Sequence, residues 1–195
     1  MEDGPDLFDW LLSGPRDQSR ALRILRLTLC GLALPVFLDT IGTVLVAAMA
    51  GPAAGIATGL VSQAVAGFQI GQHMFAFAPI QVIIALTAAL AARRAGFRSL
   101  PMAVGWGLLT GLLAGAPSAL IAYHVFEGVT SPGPTAVTTL LTGLGLTRAQ
   151  AVGVASVGLD LLDKAITFAL VSTVLLGLPR RLAARFPGAS AATRR

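Results

Sequence analysis

The stretch MFAFAPIQVIIALTAALAA (residues 74–92) decides the fold class of this protein. It contains no charged residue, and the short basic segment RRAGFR (93–98) follows it. A second apolar run, LPMAVGWGLLTGLLAGAPSALIAYHV (100–125), comes next. Because about 20 apolar residues in an α-helix cross the hydrocarbon core of a bilayer, the two runs predict two membrane-spanning helices joined by a basic loop.

The composition of the whole chain extends this interpretation. Of the 195 residues, 55% are hydrophobic and only 12% are charged, whereas a soluble domain carries about 25% charged residues. A chain this short and apolar cannot cover its own core with a polar surface, so its outer surface must face lipid. We therefore predict an all-α, polytopic helix bundle, a multi-pass protein of the cell membrane.

Three breaks divide the apolar region before residue 93 into four predicted helices. The breaks are Asp39-Thr40, Gly51-Pro52 and the polar group from Gln69 to His73. With the two helices that follow the basic loop, the sequence predicts six transmembrane helices within a membrane domain at 20–179. Their approximate ranges are 22–38, 40–50, 52–68, 74–92, 100–125 and 148–178.

Local signals predict where some of these helices begin and end. Ser99 is a potential N-cap followed by Pro101 in the first turn. In the long loop at 127–148, Pro134 could open a short helix that Gly143 ends. Thr147 and Gln150 have the spacing of a capping box at the start of the last helix.

The arginines predict the orientation of the bundle. They cluster before the first helix, in the 93–98 loop and in the basic tail at 180–195. By the positive-inside rule these segments and both termini lie in the cytoplasm, and the 127–148 loop lies outside. The polar N-terminal segment at 1–19 is either a solvated tail or a short amphipathic helix at the membrane surface. A cleaved signal peptide is the alternative for the N-terminal region, although the apolar run there is long for one.

Several function classes lack their motifs. Lys164 is the only lysine and does not belong to a Gly-Lys-Ser/Thr phosphate loop, and no His-Glu-x-x-His or Gly-x-Ser-x-Gly motif occurs. The net charge of +5 reflects arginines at helix ends rather than a nucleic-acid surface. Cys30 is the single cysteine, and two separated histidines do not make a metal site. We predict no catalytic residue, no cofactor, no metal and no nucleic-acid partner.

Polar residues within the apolar runs are the main functional signal. Ionisable groups in a membrane are costly and usually mark a pathway or pocket. In the six-helix topology these residues converge on the outer half of the bundle. We predict a pocket for a small molecule there, lined by Gln81, Tyr123, His124 and Asp160, with Asp39 and His73 near its mouth.

Two further patterns indicate helix packing or partner contacts. Asp160, Asp163 and Lys164 share one face of the last helix, and we expect Asp160 to pair with Lys164. The alternative for the two carboxylates, an intramembrane enzyme, is disfavoured because Lys164 neutralises them. Small residues at four-residue spacing let helices approach closely, which predicts a packing face at Gly51, Gly55 and Gly59.

These residues, taken in order, resemble a known family. FLDTIGT (37–43), AGPAAG (50–55), FAP (77–79) and LLDK (161–164) with LPRR (178–181) look like the substrate-binding S components of energy-coupling factor (ECF) vitamin transporters. The resemblance covers about residues 22–187. It implies a six-helix membrane protein that binds a vitamin or vitamin precursor from outside.

The resemblance also implies partners. S components dock on a transmembrane coupling subunit that carries two ATPase subunits, which agrees with the missing phosphate loop in this chain. The Ala-x-x-x-Ala pair of many members is absent from residues 22–37, so the Gly51, Gly55 and Gly59 face is the substitute docking candidate. The alternative function is a membrane-embedded sensor without transport, which a long cytoplasmic extension would favour.

Overall fold

The computed structural model describes residues 40–179 except 70 and 131, together with 186, 188 and 192. The chain divides into two compact units, Met1–Leu34 and Pro35–Arg195, and every described residue belongs to the second. The predicted helix at 22–38 and the predicted N-terminal segment at 1–19 therefore lie outside the described residues, as does all of the predicted tail at 180–195 except residues 186, 188 and 192.

The described part consists of helices joined by short connections and contains no strand. Six α-helices follow one another, with a 3₁₀-helix at Gln72–Phe77 before the third. Their bounds are α1 Ile41–Ala50, α2 Pro52–Gln69, α3 Ala78–Arg93, α4 Leu100–Phe126, α5 Pro132–Gly143 and α6 Arg148–Gly177.

Several predicted helix boundaries are confirmed. Thr147 and Gln150 form the complete capping box at the start of α6. Ser99 occupies the N-cap position of α4 without donating or accepting a side-chain cap hydrogen bond. The short helix α5 ends at Gly143 as predicted. It begins at Pro132, two residues before the predicted Pro134. Proline fits the first turn of a helix because an amide hydrogen there would have no partner within the helix.

The first three helices pack against one another, and glycines set their spacing. A Cβ added at Gly55 would lie 2.8 Å from the Cα of Ala47 in α1. A Cβ at Gly59 would lie 3.0 Å from Cβ of Gln81 in α3. Both glycines therefore lie at close contacts between helices of this bundle.

Gly51 does not belong to this packing face, so that part of the prediction is wrong. An added Cβ there would meet no atom within 4 Å. Gly51 separates α1 from α2 and has a φ of 94°. Residues other than glycine rarely adopt this backbone conformation. Its role is to let the chain turn between two helices.

The most extensive helix contact joins α4 and α6, and it depends on a second run of glycines. Cβ atoms added at Gly107, Gly111 and Gly115 would lie 2.8, 2.6 and 2.9 Å from Cα atoms of α6, respectively. Only hydrogen fits in these positions, so the two backbones touch along almost three turns.

Large and small side chains are distributed as in a protein that faces lipid. The buried face of α4 consists mainly of glycine, alanine, threonine and serine, while leucines such as Leu108, Leu112 and Leu120 are exposed. Buried small residues and outward leucines suit helices that pack together in a bilayer.

Within the described part of the chain, two helical segments are long and apolar enough to cross a membrane, Met74–Arg93 and Leu100–His124. Only 39% and 33% of their most apolar windows are buried, so most of their surface faces outward. This supports membrane association. The six-crossing topology with both termini in the cytoplasm stays a prediction.

The glycine contact generates the first test. Gly111→Ala should lower the free energy of unfolding by about 1–3 kcal/mol, because the new methyl group overlaps the backbone of α6. Gly105→Ala is the matched control, since it lies on the same helix with no atom within 4 Å of an added Cβ, and alanine favours the helix by up to about 1 kcal/mol. Equilibrium unfolding in mixed micelles measures both. Equal stability of the two variants would contradict the close contact.

Candidate binding cavity

A cavity of about 100 Å³ lies among α2, α3, α4 and α6. The 3₁₀-helix and the segment after α4 also contribute to it. Its described lining residues are Thr40, Gln63, Met74, Phe77, Ile80, Gln81, Ile84, Ser118, Ala122, Thr130, Pro134, Ser156, Leu159, Asp160 and Lys164.

One wall of the cavity is a chain of neutral hydrogen bonds. The Gln81 amide donates from Nε2 to Oε1 of Gln63 over 3.1 Å, and Gln63 donates onward to the Met74 carbonyl. The Thr43 hydroxyl donates to Oε1 of Gln81 over 3.3 Å. Because buried amides need partners, this chain fixes both glutamines and ties α1, α2, α3 and the 3₁₀-helix together.

A second part of the lining, from α6, carries the charged residues Asp160 and Lys164. Lys164 donates from Nζ directly to Oδ2 of Asp163, and Oδ1 of Asp160 lies 3.9 Å from the same ammonium. The side chains of Lys164 and Asp163 are 3% and 0% exposed, against 14% for Asp160. Ser118 of α4 lies near the Asp160 carboxylate and also lines the cavity.

The expected pairing of Lys164 with Asp160 is present but is the weaker of two. Helical spacing favours partners at i and i+4 over neighbours in sequence, yet Asp163 is the closer partner. The long, flexible lysine stem allows its ammonium to reach an adjacent residue, and the fully buried Asp163 carboxylate has the greater need of a counter-charge.

The remainder of the lining is largely apolar, with a few hydroxyl side chains that include Thr40, Thr130 and Ser156. Phe77, Ile80, Ile84 and Leu159 cover the surface between the two polar walls. Thr40 is 2% exposed, and its Oγ1 has no hydrogen-bond partner among the described residues. A polar ligand in the cavity could supply one.

The chain between α4 and α6 contributes Thr130 and, from α5, Pro134 to the lining. Contacts between Arg148 and Glu127 join the two ends of this segment. Arg148 donates to the Glu127 backbone carbonyl and forms an exposed ion pair of 3.2 Å with its carboxylate. Within the segment, the Thr135 hydroxyl accepts from the Thr130 amide over 3.2 Å.

The predicted pocket residues separate into three groups. Gln81 and Asp160 line the cavity, whereas Tyr123 and His124 are exposed and stack edge-to-face with ring centroids 5.0 Å apart. Asp39 lies outside the described residues. His73 belongs to the 3₁₀-helix, and its side chain is not among those described.

Helix geometry explains why Tyr123 and His124 do not line the cavity. Ser118 and Ala122 do so, four residues apart on one face of α4. Each further residue turns about 100° around the helix, so positions 123 and 124 face away. Their expected place in the pocket is therefore corrected in favour of Ser118 and Ala122.

Sequence reasoning also missed Gln63 and the glycines of α4. Gln63 is an isolated amide in an apolar helix, and Gly107, Gly111 and Gly115 repeat the spacing already noted in α2. Both signals were present in the sequence. Which face of each helix would meet the cavity depends on the tertiary packing.

The arrangement provides contacts for a small molecule. It offers amide donors and acceptors on one side, a carboxylate with an ammonium on the other, and apolar surface between them. Among the described residues, no group of three His, Cys, Asp or Glu side chains could hold a metal ion.

Comparisons with known proteins add no identification. No protein-family model matches the chain, and no curated protein or solved structure matches it.

The buried charges give the second test. Asp163→Leu should lower the free energy of unfolding by about 3 kcal/mol, the low end for breaking a buried ion pair, since Asp160 compensates part of the lost charge. The double variant Asp160→Leu/Asp163→Leu should be less stable than Asp163→Leu, because it leaves the buried Lys164 ammonium without either carboxylate. Equilibrium unfolding in mixed micelles measures both, and a double variant as stable as the single one would contradict the pairing.

The amide chain gives the third. Gln81→Leu leaves Thr43 without its acceptor and Gln63 without its donor, so the free energy of unfolding should fall by about 1–3 kcal/mol. Gln69→Leu, at an exposed position of α2, is the control and should be near neutral. The same unfolding measurement applies, and indistinguishable variants would show that the hydrogen-bond chain contributes nothing.

Proposed function

We propose that this protein is a membrane-embedded substrate-binding subunit, the S component of an ECF-type ATP-driven importer. It captures a small, vitamin-like molecule from outside and passes it to a coupling module. The observation that carries the proposal is the cavity between α2–α3 and α4–α6, with an amide wall facing a charged wall.

The distribution of polarity supports capture rather than a purely structural role. Burying Asp160 and Lys164 beside a cavity is costly, and helix packing alone would be served by apolar residues of similar volume. Gln63 and Gln81 come from a different group of helices than the charged pair. A bound molecule would therefore connect the two groups.

The energy for transport would come from partners. This chain has no phosphate-binding loop, so the proposed importer needs separate ATPase subunits and a transmembrane coupling subunit. The exposed leucines of α4 would face lipid or the coupling subunit.

The size of the cavity bears on the ligand. Pockets for drug-sized ligands measure about 300–1,000 Å³, and the described residues surround about 100 Å³. This volume suits a small polar molecule, or one end of a larger one.

The fourth test asks whether the cavity retains a ligand from the cell. Protein purified in mild detergent should release a small molecule on denaturation, detected by mass spectrometry. Thr130→Trp should reduce the retained amount about tenfold or more, because Thr130 lines the cavity and the larger side chain would occupy it. Co-purification of ATPase and coupling subunits is scored in the same preparation.

Val129→Trp is the matched control, since the neighbouring Val129 is 64% exposed and does not line the cavity. It should retain the wild-type amount. If wild type retains nothing and no subunit co-purifies, the importer proposal fails. A retained ligand without ATPase partners would favour a sensor.

A further inference from the structure

The threonine at the start of α1 has a hydroxyl group that the fold does not use. Thr40 occupies the N-cap position of α1, where a threonine side chain usually accepts a hydrogen bond from an amide of the first turn. Here the side chain makes no cap hydrogen bond, and its Oγ1 has no partner among the described residues. Thr40 is only 2% exposed, so the solvent around the protein does not satisfy this hydroxyl either.

Other threonines of the bundle satisfy their hydroxyl groups within their own helices. Thr58, Thr87 and Thr110 each donate to the carbonyl of the residue four positions earlier, over 2.9, 2.9 and 2.8 Å, respectively. Thr40 precedes the first residue of its helix, so α1 offers it no such carbonyl. The hydroxyl of Thr167 also lacks a partner within the described part of the chain, but Thr167 does not line the cavity, whereas Thr40 does.

The hydrogen-bond chain in the same lining has a direction that leaves donors free. A backbone carbonyl can only accept, so the Met74 carbonyl fixes which end of the Gln63 amide is the nitrogen. Oε1 of Gln63 then accepts from Nε2 of Gln81, and Oε1 of Gln81 accepts from the Thr43 hydroxyl. Each amide nitrogen carries two hydrogens, and this chain uses one of them. One N–H group of each glutamine therefore lies outside the chain.

We propose that Thr40 is a ligand-binding residue, and that its hydroxyl donates a hydrogen bond to an uncharged oxygen of the captured molecule, such as a ketone or amide carbonyl. Gln63 and Gln81 line the same cavity, and their remaining N–H groups donate to the same part of the ligand. A carbonyl oxygen has two lone pairs and, unlike a carboxylate, brings no charge that must be desolvated. This inference rests on the proposed function and deepens it by naming the group that the substrate presents to the glutamines.

The test compares two probes of nearly equal shape. Cyclopentanone has a carbonyl oxygen, and methylenecyclopentane has a CH2 group in its place. Ligand-observed NMR titration of the full-length protein in mild detergent compares each variant with wild type for the same probe, so that partition of the probe into micelles cancels. Thr40→Val keeps the shape of the side chain but removes the hydroxyl, so cyclopentanone should bind about three- to tenfold more weakly. Methylenecyclopentane binding should change less than about twofold, because it makes no hydrogen bond.

Two further variants separate the hydroxyl from its surroundings. Thr40→Ser keeps a hydroxyl and should bind cyclopentanone within about twofold of wild type. Thr167→Val is the matched control, because it removes another buried hydroxyl without a described partner, outside the cavity lining. It should leave the binding of both probes unchanged. Since the Thr40 hydroxyl forms no bond within the described fold, Thr40→Val should remain folded, which size-exclusion chromatography checks.

Several results would overturn the inference. Unchanged cyclopentanone affinity in Thr40→Val would show that water rather than a carbonyl satisfies the hydroxyl. An equal loss for both probes, an equal loss in Thr167→Val, or a Thr40→Ser variant as weak as Thr40→Val would show that the hydroxyl is not the cause. Absence of cyclopentanone binding to wild type would overturn it as well, since free donors in a cavity should hold a small ketone. The proposed function is judged separately by the molecule retained from the cell and by co-purified ATPase subunits, which involve neither probe.

Discussion

Gly107, Gly111 and Gly115 allow the backbone of α4 to lie directly against α6 at the turns that carry Asp160 and Lys164. This contact determines where the charged residues lie. The same approach brings Ser118 near the Asp160 carboxylate. If the helices were separated by side chains, the ion pair would lose the tight packing that keeps it dry. Because only a hydrogen atom fits at these three glycine positions, α4 and α6 come close enough to fix where the charged side chains of α6 lie.

The two walls of the cavity belong to groups of helices held together by different forces. Among α1, α2 and α3, a chain of neutral hydrogen bonds through Gln63 and Gln81 connects the elements. Between α4 and α6, backbone contact and buried charge dominate. Hydrogen bonds are directional and ion pairs are sensitive to desolvation, so the amides would orient a ligand while the charged side would discriminate by its charge.

Much of the helical organisation was predictable because it is encoded locally. The Gly51-Pro52 break, the proline at the start of α4 and the Thr147–Gln150 capping box each act within one helical turn. Gln81 and Asp160 could be selected as polar residues in apolar runs. Rotation of each helix about its axis could not be obtained this way, because it follows from contacts between distant segments. Tyr123 and His124 were therefore placed in the pocket, and Gln63 and Ser118 were overlooked.

The choice of ion partner also depends on tertiary structure. Spacing along the helix favours Asp160 as the partner of Lys164. In the folded bundle the completely buried Asp163 is the closer partner, since desolvation outweighs helical periodicity there. The spacing of residues along a helix indicates which ion pairs an isolated helix allows. Burial decides which of these pairs forms once the neighbouring helices are packed.

The 3₁₀-helix before α3 has a consequence for how far this segment of chain extends. The 16 residues of α3 rise only about 24 Å, which is less than the roughly 30 Å thickness of a bilayer core. A 3₁₀-helix advances about 2.0 Å per residue rather than 1.5 Å, so the six residues Gln72–Phe77 add about 12 Å. If the two helices are collinear, together they reach about 36 Å. The same six residues wound as an α-helix would add only about 9 Å, so the tighter winding gains about 3 Å of length without an additional residue.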